Sequence, residues 1–174
     1  IVPDGEQAKS FDSYELVLNK LAENKANRSS CVIALGGGVV GDLSGFVGST
    51  FMRGIDVIQV PTTLLAQVDS SIGGKCGINI AAGKNMVGTI TQPKVIFSDI
   101  RYLKTLPEND FISGLGEVVK YALLGNLTVR ELIEESADKI WGVGFFNKDT
   151  KDSFIGLFLD HHTDGFQEPS HNGS

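Results

Sequence analysis

Residues 59–85 read QVPTTLLAQVDSSIGGKCGINIAAGKN, a stretch that sets one carboxylate, two lysines and several amides and hydroxyls among glycines. Asp69, Ser70 and Ser71 run into Gly73, Gly74 and Lys75, and Gly83 precedes Lys84 and Asn85. Glycine lets backbone approach a ligand closely. A lysine beside such a turn can reach a phosphate, while carboxylate, hydroxyl and amide groups can hold hydroxyls. These types suit a site for a phosphorylated, hydroxylated small molecule. A polar surface loop with glycine turns is the plainer reading of the same residues.

A second glycine group follows the apolar run CVIAL. Gly36, Gly38 and Gly41 satisfy the Gly-x-Gly-x-x-Gly pattern, with Gly37, Val39 and Asp42 alongside. Strand, glycine turn and helix is the arrangement in which backbone N–H groups and a helix N-terminus cradle a pyrophosphate. The pattern is weak alone, and a tight strand-to-helix turn without a ligand also satisfies it. Asp56 lies at a suitable distance for a ribose-binding acid but sits inside IDVIQV, so that role is not assigned to it. Arg53 reads as a surface charge or an anion ligand. Glu117 and Lys120 stand three apart on a helical pattern, the ordinary spacing of an exposed ion pair. Gly114 and Gly116 flank them at a cost of about 1 kcal/mol each in a helix interior, which points to a close approach on that face.

The elements that must position these groups are legible from periodicity. Phe11, Tyr14, Val17, Leu18 and Leu21 predict a helix over 11–24. Strands are expected over 31–35, 55–60 and 95–100. The first, wholly apolar, reads as a central parallel strand covered on both faces, with Cys31 buried and inert. Thr62 and Thr63 offer an N-cap to the segment carrying Asp69. Thr105 and Glu108 form a capping box with Pro107 in the first turn. The helix that follows places Phe111, Ile112, Leu115, Val118, Val119, Ala122 and Leu123 on its apolar side, and a further acidic helix spans 128–141. From 142 no period is clear, and His161, His162 and His171 fall in this polar tail, where exposure to solvent is the ordinary state of adjacent histidines.

With 174 residues the chain can bury a real core, and 41% apolar with 21% charged residues places it among globular proteins. A net charge of −6 argues against nucleic-acid and anionic-membrane surfaces. No apolar run approaches the ~20 residues of a membrane span. Cys31 and Cys76 are far apart and form no metal-type pair, so a reducing, cytoplasmic setting is expected. The chain opens on Ile1 in a polar turn and reads as an internal piece.

Together the motifs resemble the 3-dehydroquinate synthase family of sugar-phosphate cyclases. The resemblance rests on PDGEQAKS, GGGVVGDLSGFVGSTFMRG, QVPTTLLAQVDSSIGGKCGIN, GKNMVG, LKTLP and GEVVKY, in this order over 1–124. It implies an α/β, Rossmann-like NAD-binding domain over 1–105, the start of a helical metal and substrate domain over 106–141, and a divergent tail over 142–174. Most of the helical C-terminal domain would be missing. The resemblance assigns Asp4, Gly5, Glu6, Lys9, Gly37, Gly38, Val39, Asp42, Thr62, Thr63, Lys84, Tyr102, Leu103, Lys104 and Thr105 to NAD. Asp69, Lys75, Asn85 and Lys120 would contact the substrate, and Arg53 the substrate phosphate of a neighbouring subunit in a homodimer. Glu117 would bind a divalent metal, zinc or cobalt. The implied activity is a phosphate-eliminating lyase reaction that cyclises 3-deoxy-D-arabino-heptulosonate 7-phosphate to 3-dehydroquinate on the shikimate route.

Departures from the family pattern qualify this. Two histidines of the C-terminal domain complete the family's metal site, one within Gly-His-Thr-x-Gly-His. His162, Thr163, Asp164 and Gly165 echo that motif, but Phe166 stands where its second histidine belongs. The first strand of the NAD domain is missing, the residues around Glu108, Asn109 and Asp110 differ, and Cys76 replaces a common threonine. The chain is therefore expected to be a fragment that does not work alone. A metal-dependent alcohol or glycerol dehydrogenase and a catalytically silent NAD-binding module remain the alternatives.

Overall fold

The computed structural model describes residues 1–141, so the three histidines lie outside the described residues. The chain divides into two compact units, Ile1–Val118 and Val119–Ser174. In the first, helix α1 (Phe11–Glu23) starts at Ser10, whose hydroxyl accepts the Ser13 N–H at 3.2 Å. Strand β1 (Cys31–Gly36) leads into helix α2 (Gly38–Thr50), and β2 (Asp56–Pro61) returns beside β1. Strands β3 (Lys75–Ile80) and β4 (Gly83–Ile90) follow, then β5 (Val95–Ile96) and helix α3 (Glu108–Leu123). The second unit takes the end of α3 and helix α4 (Leu127–Trp141).

The sheet is parallel in the order β1-β2-β5, in register from Cys31 opposite Asp56 to Gly36 opposite Pro61. Helix α2 lies between this sheet and an antiparallel β3–β4 hairpin, touching both. Gly45 and Gly48, each unfavourable in a helix, are explained by that double contact. A Cβ on Gly48 would stand 2.2 Å from a Val57 methyl, and one on Gly45 2.7 Å from the Cys76 Cβ. Leu43, Phe46, Val47 and Ile78 form the buried core, joined by Tyr14, Val17, Leu18 and Leu21 of α1. Each fully buried apolar side chain there contributes about 1.5–3 kcal/mol. The Tyr14 and Phe46 rings stack at 4.7 Å, and the Tyr14 hydroxyl donates to Thr50 Oγ1 at 2.8 Å.

Several expectations are corrected. Strand β1 is not central: among the described residues it pairs with β2 alone and forms the sheet edge. Among the described residues only its α2 side is covered, so Cys31 is exposed, as are Ile33 and Leu35 on the same face. The strand expected over 95–100 shortens to two residues, because Asp99 caps a 3₁₀ turn over Ile100–Thr105 by accepting the Arg101 N–H. The capping box at Thr105 does not form. The Thr105 hydroxyl donates to the Tyr102 carbonyl, and the Pro107 carbonyl accepts the N–H of Phe111. At Gly114 the close approach is Leu64, 2.7 Å from a would-be Cβ, whereas Gly116 faces open space. Helix packing, not a ligand, accounts for Gly114. Residues 75–85, part of the stretch whose plainer reading is a polar surface loop with glycine turns, belong to the hairpin.

Candidate functional site

Lys9 is the hub of the polar residues that the fold brings together. It follows a short 3₁₀ turn over Glu6–Ala8 and is only 4% exposed. Its ammonium donates to Asp42 Oδ2 at 2.6 Å and to Asn85 Oδ1, and Glu6 Oε1 lies 3.6 Å away. Asp42 comes from the second turn of α2 and Asn85 from β4, so one lysine ties three segments. Burial pushes the Asp42 carboxyl above its ordinary value of 3.8, and the Lys9 hydrogen bond and charge oppose the rise. Glu6 and Asp69 add smaller upward pushes.

Asp42, Asp69, Ser70, Lys75 and Asn85 line an open cavity of about 680 Å³. Thr63 starts the turn that carries Asp69, its hydroxyl accepting the Ala66 N–H at 3.2 Å, as the N-cap reading expected. A π-helical turn over Ala66–Ser70 then faces Asp69 and Ser70 to the cavity. The same turn lies against the start of α2, where a Cβ on Gly38 would come within 3.0 Å of Ser70 Oγ. Thr62 donates its N–H to the Gly36 carbonyl at 3.0 Å, and a Cβ on Gly37 would meet the Thr63 methyl at 3.0 Å. Thr62 and Thr63 thus sit at the glycine turn. Gly37 gives α2 no side-chain cap, which leaves the first N–H groups for another partner. Gly41 serves packing instead: the buried Gln59 donates to its carbonyl at 3.1 Å.

Other expected residues lie elsewhere. Asp4, Gly5, Lys84, Arg53, Tyr102, Leu103, Lys104 and Thr105 do not line this cavity. Arg53 is exposed and held, with Met52, in the left-handed region at φ 72 and 50. Leu103 is buried at 1% exposure, and Tyr102 is exposed. Val39 is half-buried in the first turn of α2. Glu117 belongs to the first unit, and among the described residues no three His, Cys, Asp or Glu side chains gather as a metal site. Lys120 belongs to the second unit, its ammonium 5.5 Å from the Tyr121 ring centre. Asp56 opens β2 in a loose 3.8 Å pair with Lys94. Sequence reasoning missed Asn79 and Gln59; Gln59 carried the signal of a polar residue inside an apolar strand, and Asn79 carried none.

A family model of the 3-dehydroquinate synthase N-terminal region matches residues 1–113. The chain belongs to the 3-dehydroquinate synthase family. Over 126 residues it is 52% identical to the 3-dehydroquinate synthase of Alkaliphilus oremlandii (strain OhILAs), a match over 72% of this chain and 35% of that protein. The chain therefore spans about a third of the length of that family member. A solved 2-deoxy-scyllo-inosose synthase, complexed with carbaglucose-6-phosphate, NAD+ and Co2+, has a TM-score of 0.65 at 35% identity. That match covers 67% of this chain and 32% of the other. The 2-epi-5-epi-valiolone synthase of Streptomyces hygroscopicus subsp. jinggangensis 5008, with NAD+ and Zn2+ bound, has a TM-score of 0.74 at 25% identity, covering 94% and 46%. The family membership and the Rossmann-like α/β fold expected from the motifs hold.

Proposed function

We propose that the chain is the cofactor-binding part, with some substrate contacts, of a 3-dehydroquinate synthase. The whole protein would cyclise 3-deoxy-D-arabino-heptulosonate 7-phosphate to 3-dehydroquinate with loss of phosphate, a carbon–oxygen lyase of the shikimate route in the cytoplasm. What supports this reading most is one cavity lined both by Asp42 of the glycine-turn helix and by Asp69, Lys75 and Asn85. Bound NAD would supply a hydride acceptor for a ring carbinol and, once reduced, the hydride donor that restores it. Gly37, Gly38 and Val39 would hold its pyrophosphate, since the α2 N-terminus has no side-chain cap and Gly38 sets that turn against Ser70 without a Cβ between them. Lys75, at the start of β3, would set its ammonium against the substrate phosphate. Asp69 would accept from substrate hydroxyls, and the Asn85 amide would fix the substrate's orientation. Lys120 completes the substrate contacts in this reading, and Arg53 those of a neighbouring subunit in a homodimer.

The divalent metal, zinc or cobalt, belongs to the whole protein. Glu117 offers one carboxylate, whereas catalytic zinc takes three protein ligands. The described residues therefore do not make a metal site by themselves.

Calorimetric titration with NAD tests the reading. The 174-residue chain should bind saturably, more weakly than a complete homologue, and Gly38→Val should abolish binding by pressing on Ser70. Absence of saturable binding by the wild-type chain, or unchanged binding in Gly38→Val, would count against it.

A further inference from the structure

The β3–β4 hairpin carries an irregularity that places Asn79 between the two halves of the site. Ile78 pairs with Val87 and Ile80 with Gly83, so between these pairs Asn79 alone faces Lys84, Asn85 and Met86. Such a bulge breaks the ladder, and bulges beside sites re-aim side chains. Within this one Asn85 stands in the left-handed region at φ 55, a conformation that asparagine tolerates better than most residues. Its N–H donates to Asn79 Oδ1 at 2.8 Å. The Asn79 backbone N–H also leaves the hairpin and donates to the Lys9 carbonyl at 2.8 Å. The Lys9 ammonium donates in turn to Asn85 Oδ1. Three residues distant in sequence thereby close one cycle of hydrogen bonds. Asn79 Nδ2 pins the cycle from outside by donating to Glu6 Oε1 at 2.8 Å.

We infer that Asn79 is a positioning residue: it locks the Asn85 bulge to the Glu6–Lys9 turn and so fixes where Asn85 and Lys9 stand at the cavity. Asn79 does not line the cavity, whereas Asn85 and Asp42, the two acceptors of the Lys9 ammonium, do. The residue types suit the task. A side-chain amide accepts from Asn85 N–H through its oxygen and donates to a carboxylate through its nitrogen at the same time. Alanine would leave both groups without Asn79. Aspartate would keep the Asn85 bond and oppose Glu6 with a second negative charge. The positioning claim rests on the cofactor site proposed above.

Amide exchange by nuclear magnetic resonance on the 174-residue chain, with NAD titration alongside, tests it. In Asn79→Ala the Asn85 amide should exchange about tenfold faster, the worth of one hydrogen bond, while the core amide of Ile78 stays within about twofold. NAD affinity should fall severalfold in the same variant. Glu6→Gln combined with Asn79→Asp exchanges donor for acceptor, and should bring the Asn85 rate back toward wild type. An unchanged Asn85 rate in Asn79→Ala overturns the inference. Equal acceleration of Asn85 and Ile78 also does so, since it marks general loosening. Faster Asn85 exchange with unchanged NAD affinity leaves a tether without a positioning role, and overturns it as well. If the wild-type chain fails to bind NAD, the cofactor reading falls and the positioning role falls with it. The exchange rates then still decide whether Asn79 holds Asn85.

Discussion

A lysine ammonium that is almost wholly enclosed has to find its counter-charge where it lies, and for Lys9 that is Asp42 at 2.6 Å. The pair explains why Asp42, pushed up by burial, is not pushed further. A folded-state carboxyl that keeps its proton to higher pH than the unfolded chain favours folding in the acid range. That contribution is full below the ordinary 3.8 and is lost as pH rises through the raised value. Lys9→Met removes both downward influences of the lysine, so the Asp42 titration, followed by carboxyl carbon shifts, should move to higher pH. The variant should cost about 2 kcal/mol at neutral pH. It should cost less in acid, where Asp42 takes up a proton. An Asp42 midpoint that did not rise would remove Lys9 from this role. At this scale much of the site could be read from the sequence. Asp42, Asp69, Lys75 and Asn85 stand out as polar groups among glycines, and the cavity joins them. Lys9 and Glu6 have no such glycine setting, and only the resemblance names them. Only the fold sets Lys9 beside residues 33 and 76 positions away.

The elements divide by the kind of signal they carry. Helix α1 and strands β1 and β2 have clear apolar periods and form within a residue or so of where these place them. The β3–β4 hairpin has no such mark. Its turn is Ala81–Ala82, without the Asn-Gly or Gly-first signature of two-residue hairpins. Its strands carry glycine and asparagine, which are poor strand formers. What holds it is backbone proximity at Gly77 opposite Gly88. A Cβ on Gly88 would stand 2.1 Å from the Cys76 carbonyl oxygen and 2.8 Å from the Gly77 Cα, and backbone cannot yield as a side chain can. Gly88→Ala should therefore destabilise the chain by about 2 kcal/mol or more, read from the urea midpoint. Because the hairpin walls the cavity, NAD affinity should fall in step. A variant within about 0.5 kcal/mol of wild type would show that the two strands can part without cost.

On the scale of the whole molecule, apolar character foretold strand β1 but not what covers it. Ile33 and Leu35 remain 62% and 57% exposed on the face away from α2, with Val95 of β5 and Phe97 just after it also exposed. The family resemblance implies Glu117 as one metal ligand and leaves the rest of the site to two histidines of a C-terminal domain. Catalytic zinc is held by three protein ligands against water. A single carboxylate gives no chelate, and among the described residues no group of three ligands forms. We therefore expect the 174-residue chain to lose zinc on dialysis, and to release no phosphate from the heptulosonate substrate even with NAD present. Metal analysis of the dialysed protein reads the first outcome, and a phosphate assay the second. The histidines of the tail lie outside the described residues, and they set the terms of the contrary result. Stoichiometric zinc that vanished in both Glu117→Ala and His162→Ala would show that the tail supplies a second ligand and makes a shortened metal domain of its own. Zinc lost in Glu117→Ala alone would instead call for ligands other than His162, and would equally end the claim that this chain cannot retain its metal.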